Sequence, residues 1–120
     1  MEKPHKNLRV WREAMELVTD VYAATRRFPT YERFGLAGQM QRSAVSIPSN
    51  IAEGAARKGR KEYARFLYQA RGSLSELDTQ LEIAGHLAYL EPAELERIQA
   101  RLDGVGRMLN GLIASIVVRQ

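Results

Sequence analysis

Ser46-Ile47-Pro48-Ser49-Asn50-Ile51-Ala52-Glu53-Gly54 sets a proline inside a segment that otherwise reads as an amphipathic helix. The apolar residues leading through it, Ala37, Met40, Ala44, Ile47 and Ile51, recur at steps of three and four, the seam of an α-helix packed on its neighbours. A proline there removes the hydrogen bond to the Ala44 carbonyl and crowds the preceding turn, at a cost of ~3 kcal/mol. The flanking residues are suited to compensate. Ser46 and Ser49 can bond back to nearby carbonyls, and Asn50 brings two donors and an acceptor. Ala52 and Gly54 are small enough to let another helix approach, and Glu53 is placed to pair with an arginine or cap a helix end. The expectation is a kinked second helix with a polar, tightly packed bend. The other use of Ser49, Asn50 and Glu53 is to line a binding site; proline kinks usually have local structural causes, so the structural reading leads.

The same period extends on both sides. The first series is Leu8, Trp11, Met15, Val18, Tyr22 and Thr25. The third is Tyr63, Leu67, Ala70, Leu74, Leu77, Leu81, Ala84 and Ala88, and the fourth Leu95, Ile98, Leu102, Val105, Leu109, Leu112 and Ile116. No segment alternates at period two, so no sheet is expected. The breaks are Phe28-Pro29-Thr30, with Thr30 as an N-cap; Gly54 to Gly59, with Gly59 in a capping-box position before Glu62; and Leu90-Glu91-Pro92. Helices are predicted over 6–27, 31–55, 60–89 and 93–118. Short connections make successive helices antiparallel neighbours, giving an all-α up-down-up-down four-helix bundle as a single domain over residues 1–120.

The first helix carries a second apolar series, Val10, Ala14, Leu17, Val21 and Ala24, and the last adds Met108, Ile113, Val117 and Val118. One seam does not need both, and surplus apolar surface on a bundle points to self-association, with a fuller core as the alternative.

The 120 residues suit one core, and the absence of cysteine excludes disulfides, thiolate metal sites and a cysteine nucleophile. No apolar run approaches the ~20 residues that span a bilayer, and Met1 to Lys6 does not begin a secretory signal, so a cytoplasmic protein without a membrane partner is expected. The net charge of +4 is unevenly spread. Residues 26–71 hold ten bases against three acids, whereas residues 72–120 hold four bases against seven acids. Arginine outnumbers lysine fourteen to four, and arginine forks onto phosphates, so an anionic partner fits.

The chain resembles the 23S ribosomal RNA intervening-sequence proteins over about residues 6–116. The resemblance is carried by Leu8-Arg9-Val10-Trp11 with Ala14, by Phe28-Pro29, by Gly35-Leu36 with Gln39 and Arg42, by Ser46 through Gly54, and by Ala70-Arg71-Gly72-Ser73-Leu74-Ser75-Glu76-Leu77. Gly59 departs from it, since the family often has a capping serine there. The resemblance implies a left-handed bundle assembling into a closed ring, a pentamer. It also implies kinship with the accessory variability proteins of diversity-generating retroelements, basic pentameric bundles that associate with nucleic acid and a reverse transcriptase.

Arg57, Lys58, Arg60, Lys61 and Arg65 are the candidate nucleic-acid contacts. They fall at a turn and at a helix start, where cations oppose the helix dipole but free backbone N–H groups assist phosphate binding. A solvated turn made basic for solubility is the competing reading. Tyr63, Phe66 and Tyr68 interleave with Arg65 and Arg71, although Tyr63 lies on the seam and reads as core. His5 and His86 have no partners at metal-ligand spacing; Glu82 four residues before His86 makes one pair, not a site. No catalytic set, metal or cofactor is expected. The sequence therefore reads as a non-enzymatic homo-oligomer that binds RNA or DNA through backbone charge, or as a scaffold that docks a protein partner such as a reverse transcriptase.

Overall fold

The computed structural model describes residues 3–117, which form four α-helices: α1 (Arg9–Thr25), α2 (Leu36–Ala55), α3 (Arg60–His86) and α4 (Pro92–Val117). Two short 3₁₀ turns, Pro4–Asn7 and Thr30–Glu32, precede α1 and α2, and there is no strand among the described residues. Each helix packs on two others, in the cyclic order α1, α2, α3, α4 and back to α1. Cross-helix contacts descend along one helix as they ascend along the next. Ser46 meets Ser73 while Gly54 meets Tyr63, and Glu13 meets Arg101 while Arg27 meets Glu94. The bundle measures 45 × 25 × 20 Å.

Three helix ends differ from the sequence expectation. Residues 6 and 7 lie in the first 3₁₀ turn, and Leu8 is extended, so α1 starts at Arg9. α2 starts at Leu36 instead of residue 31, because the Glu32 carboxylate accepts the Leu36 N–H at 3.0 Å and takes the capping role expected of Thr30. α3 stops at His86, where Ala88 adopts φ 59°, its N–H reaches the Gly85 carbonyl at 3.0 Å and the Tyr89 N–H reaches that of Ala84 at 2.9 Å. This left-handed cap normally holds glycine; alanine fills it here. Tyr89 then ties the two loops at this end together, its hydroxyl donating to Glu32 at 2.9 Å and accepting from Tyr31 at 3.2 Å. The neighbouring Tyr31 and Glu32 raise the Tyr89 pKa above its ordinary value, since a phenolate here would lose the bond donated to the carboxylate and stand beside its charge.

The core contains the fully buried side chains of Leu17, Met40, Ile47, Ile51, Leu67, Leu77, Leu81, Ile98 and Leu109. The expected seams of α2, α3 and α4 are the ones buried, except that Tyr63 is half-buried and Ala88 exposed at the ends of the third series, and Leu95 and Leu112 are half-buried in the fourth. In α1 the order is reversed. Val10, Ala14, Leu17, Val21 and Ala24, the surplus series, form the core face. Met15 and Tyr22 of the first series are exposed, and Trp11 and Val18 are half-buried. The surplus apolar surface is therefore the Trp11 stripe. In α4, Ile113 is buried, Met108 half-buried and Val117 exposed; Val118 lies outside the described residues.

Pro48 sits buried inside the continuous α2 helix. The polar residues around it find local partners. Ser49 Oγ donates to the Val45 carbonyl at 2.7 Å, and Asn50 Nδ2 donates to the Ser46 carbonyl at 2.9 Å and to Ser46 Oγ at 3.0 Å. Ser46 Oγ in turn bonds Ser73 Oγ on α3 at 2.8 Å, so the motif reaches across the bundle. Gly54 closes it by close approach: a Cβ there would stand 2.9 Å from Tyr63 Cδ1 and 3.1 Å from the Tyr63 carbonyl oxygen and Phe66 Cβ. Gly54→Ala is accordingly expected to destabilise the fold. Overpacking costs about 1–3 kcal/mol, which outweighs alanine's helical advantage of about 1 kcal/mol. A lowered thermal midpoint by circular dichroism is the expected result; an unchanged or raised one contradicts the close packing.

Candidate nucleic-acid interface

The α2–α3 turn is built by this approach. Gly54 lets the first turn of α3 lie against the last turn of α2, and residues 56–59 close the short gap between them. Gly59 is the N-cap in extended conformation with no side chain to bond, and a Cβ there would meet nothing within 4 Å.

All five predicted cations, Arg57, Lys58, Arg60, Lys61 and Arg65, are exposed and gathered on this turn. Carboxylates meet Arg57 and Arg65 there. Arg57 Nη2 donates to Glu53 at 2.9 Å, and Arg65 makes a two-pronged contact with Glu62 at 3.0 and 3.1 Å. The hydrogen bonds from Arg65 hold the Glu62 carboxyl below its ordinary pKa. Arg57 and Arg65 also share Phe66, their guanidinium carbons standing 4.8 and 4.4 Å from its ring centre. This contact spreads two cations over one half-buried aromatic ring and fixes their heads on the surface. Tyr68 is exposed with Arg71 over it at 4.9 Å, while burial of half-buried Tyr63 raises its pKa.

Elsewhere, several arginines pair with acids on other parts of the bundle. Arg101 pairs with Asp20 at 2.7 Å and Glu13 at 3.4 Å, Arg97 reaches Asp20 at 3.4 Å, and Arg27 pairs with Glu94. The Arg101 and Arg97 pairs join α1 to α4, and Arg27 ties the residues after α1 to α4. Acids collect near the other end of α3, where burial, Asp103 and Glu82 raise the pKa of Asp78. The α2–α3 turn is thus a surface of five exposed cations with Glu53 and Glu62 set among them.

Two further features lay outside the sequence reading. Between the α1 and α2 faces runs an apolar groove of about 340 Å³ lined by His5, Trp11, Met15, Val18, Val45, Pro48, Ser49 and Ala52. Between α2 and α3 lies a polar cleft containing Arg42 and Gln80. The signal for Gln80 was present, a polar residue three positions beyond Leu77 on the core face; that for the groove was the unused series of α1. His86 and Glu82 do not form a site, since Glu82 accepts instead from Gln99 at 2.6 Å. Among the described residues, no group of three or more His, Cys, Asp or Glu side chains is placed to hold a metal ion.

The sequence matches the 23S rRNA-intervening sequence protein family over residues 6–111. The chain belongs to that family. The match runs from the turn before α1 through most of α4, so it takes in the bundle core as far as Leu109 and the basic turn, with Ile113 and Ile116 beyond it. No curated protein matches the chain. No helix among the described residues is long and apolar enough to cross a membrane.

Proposed function

We propose that this family member is a non-enzymatic, cytoplasmic homo-oligomer, a closed ring of the pentameric kind, that binds RNA or DNA non-specifically through Arg57, Lys58, Arg60, Lys61 and Arg65. The observation that carries this reading is the gathering of five exposed cations on one turn, with two guanidiniums held against Phe66. Cations fixed at a turn meet phosphates with little ordering cost, and free N–H groups at the start of α3 add donors. In a ring the turn repeats, so weak contacts gain avidity.

Self-association is supported by the Trp11 stripe, in which Met15 is 42% exposed beside a groove with no acid, lysine or arginine in its lining. The test is a titration of labelled RNA and DNA oligonucleotides at several salt concentrations, together with a solution mass. Affinity falling steeply with salt and a mass of several chains are expected. No binding in moderate salt refutes the nucleic-acid reading, and a clean monomer refutes the ring.

The apolar groove also favours a second reading, a scaffold that docks a protein partner such as a reverse transcriptase. That reading survives a failed titration and expects recovery of one specific protein in a pull-down.

A further inference from the structure

Phe34 is 86% exposed, whereas Phe28 is buried and Phe66 half-buried. The turn that carries it is well tied. The Arg33 N–H reaches the Thr30 carbonyl at 3.1 Å, the Gly35 N–H reaches the Glu32 carbonyl at 2.9 Å, and the Glu32 carboxylate caps α2. A bare aromatic ring is thus presented on a fixed turn. Beside it runs a groove of about 480 Å³, to which Phe34 and Tyr22 bring aromatic rings and Arg33 and Arg42 bring guanidiniums. No aspartate or glutamate lines it, and neither arginine has an ion pair among the described residues. The Arg33 guanidinium carbon stands 5.3 Å from the centre of the Phe34 ring. Gly38 helps to place the charge. A Cβ there would stand 2.8 Å from the Arg33 carbonyl oxygen and 3.3 Å from Arg42 Nη1, so the glycine lets both residues close over the start of α2.

The lining defines its ligand by chemistry. Two guanidiniums without carboxylates call for an anion, and an exposed ring calls for a flat partner. An unpaired nucleotide brings both, a base to stack and a phosphate beside it, and stacking accepts any base. A base inside a duplex is already stacked and paired, so the ring is useful only to a single strand. A second copy of this chain docked by apolar contact fits less well. It would strip two guanidiniums of water without supplying their counter-charge. Val45 borders both this groove and the apolar groove beside Trp11, so the charged groove begins where the apolar one ends.

We propose that this groove seats one unpaired base of a single-stranded nucleic acid against Phe34, with Arg33 and Arg42 on the flanking phosphates. The inference rests on the nucleic-acid reading above and deepens it. The basic turn after α2 attracts any phosphate backbone, and the groove at the other end of α2 takes hold of a free base, the unit that RNA and DNA strands share.

The test compares a thymidine oligonucleotide with an abasic one of the same length, which keeps the phosphates and lacks the bases. Wild type is expected to bind the base-bearing strand about tenfold more tightly, within the range of one base stacked on an aromatic side chain. Phe34→Ala changes a side chain that stands in water, so the fold is kept. It is expected to lower the thymidine strand's affinity to that of the abasic strand and to leave the salt slope unchanged. Arg33→Gln with Arg42→Gln is expected to make the slope shallower by about 1.4, two phosphate contacts on a single strand. Phe34→Trp is expected to keep the preference, with fluorescence of the added indole falling when the thymidine strand binds and not when the abasic one does. A uridine strand is expected to suffer the same loss from Phe34→Ala. Neutralising the basic turn lowers the affinities for the thymidine and abasic strands and keeps their ratio. Equal affinities for these two strands in the wild type, or a preference that survives Phe34→Ala, overturns the proposal while leaving the basic turn's role intact. A loss confined to one sugar, or a Phe34→Ala variant that lowers the solution mass and not the affinity, does the same. Binding of neither strand overturns both readings.

Discussion

Truncating Leu17 to alanine is expected to lower the unfolding free energy by about 2–5 kcal/mol, whereas Met15→Gln two residues away is expected to change it by only about 0.5 kcal/mol. Leu17 is fully buried and Met15 is 42% exposed, so only the first leaves a cavity. The difference is measured by denaturant unfolding at low protein concentration, where association contributes least. At higher concentration the roles diverge further. Met15 belongs to the proposed self-association face, so Met15→Gln is expected to reduce the solution mass. Equal destabilisation by the two substitutions would mean that α1 is turned differently in the bundle.

This pair also shows where the sequence was legible and where it was not. Both series of α1 have the same period and similar apolar content. Period alone establishes that a helix has an apolar stripe; it does not say which half of a wide stripe faces inward. The deciding term is packing. Ala14 and Ala24 on the buried series let α1 approach its neighbours closely, where the bulk of Trp11 and Tyr22 would hold it away. In α2, by contrast, Arg42, Gln39 and Ser49 lie between the seam positions, and the second apolar series, Val45, Pro48 and Ala52, is short, so Ala37, Met40, Ala44, Ile47 and Ile51 are the longer run and are the ones buried.

Helix ends were less legible for a related reason. The start of α2 depends on a carboxylate four residues away, and the end of α3 on an alanine held at positive φ, which local propensity argues against. The basic turn was readable because its five cations are consecutive enough for any turn to gather them. The polar cleft was not, since Arg42 and Gln80 are brought together only by the pairing of α2 with α3.

Replacing Arg57, Lys58, Arg60, Lys61 and Arg65 together by glutamine is expected to abolish most nucleic-acid affinity. If all five meet phosphates, the salt slope for a single strand is about −3.5, a loss of roughly 100-fold in affinity between 50 and 200 mM salt. Glu53 and Glu62 compete for Arg57 and Arg65, however, and the fork onto Glu62 is two-pronged. If those pairs persist in the complex, Arg57 and Arg65 contribute less to the contact and the salt slope is shallower. Glu53→Gln with Glu62→Gln distinguishes the two cases. Both carboxylates are well exposed, so removing them costs the fold little. The double variant is expected to bind more tightly at low salt and to show a steeper slope, because two guanidiniums are released toward phosphate. A slope unchanged by the double substitution would show that the arginines already leave their carboxylates when phosphate arrives. An affinity unchanged by the fivefold neutralisation would remove the turn from the interface altogether.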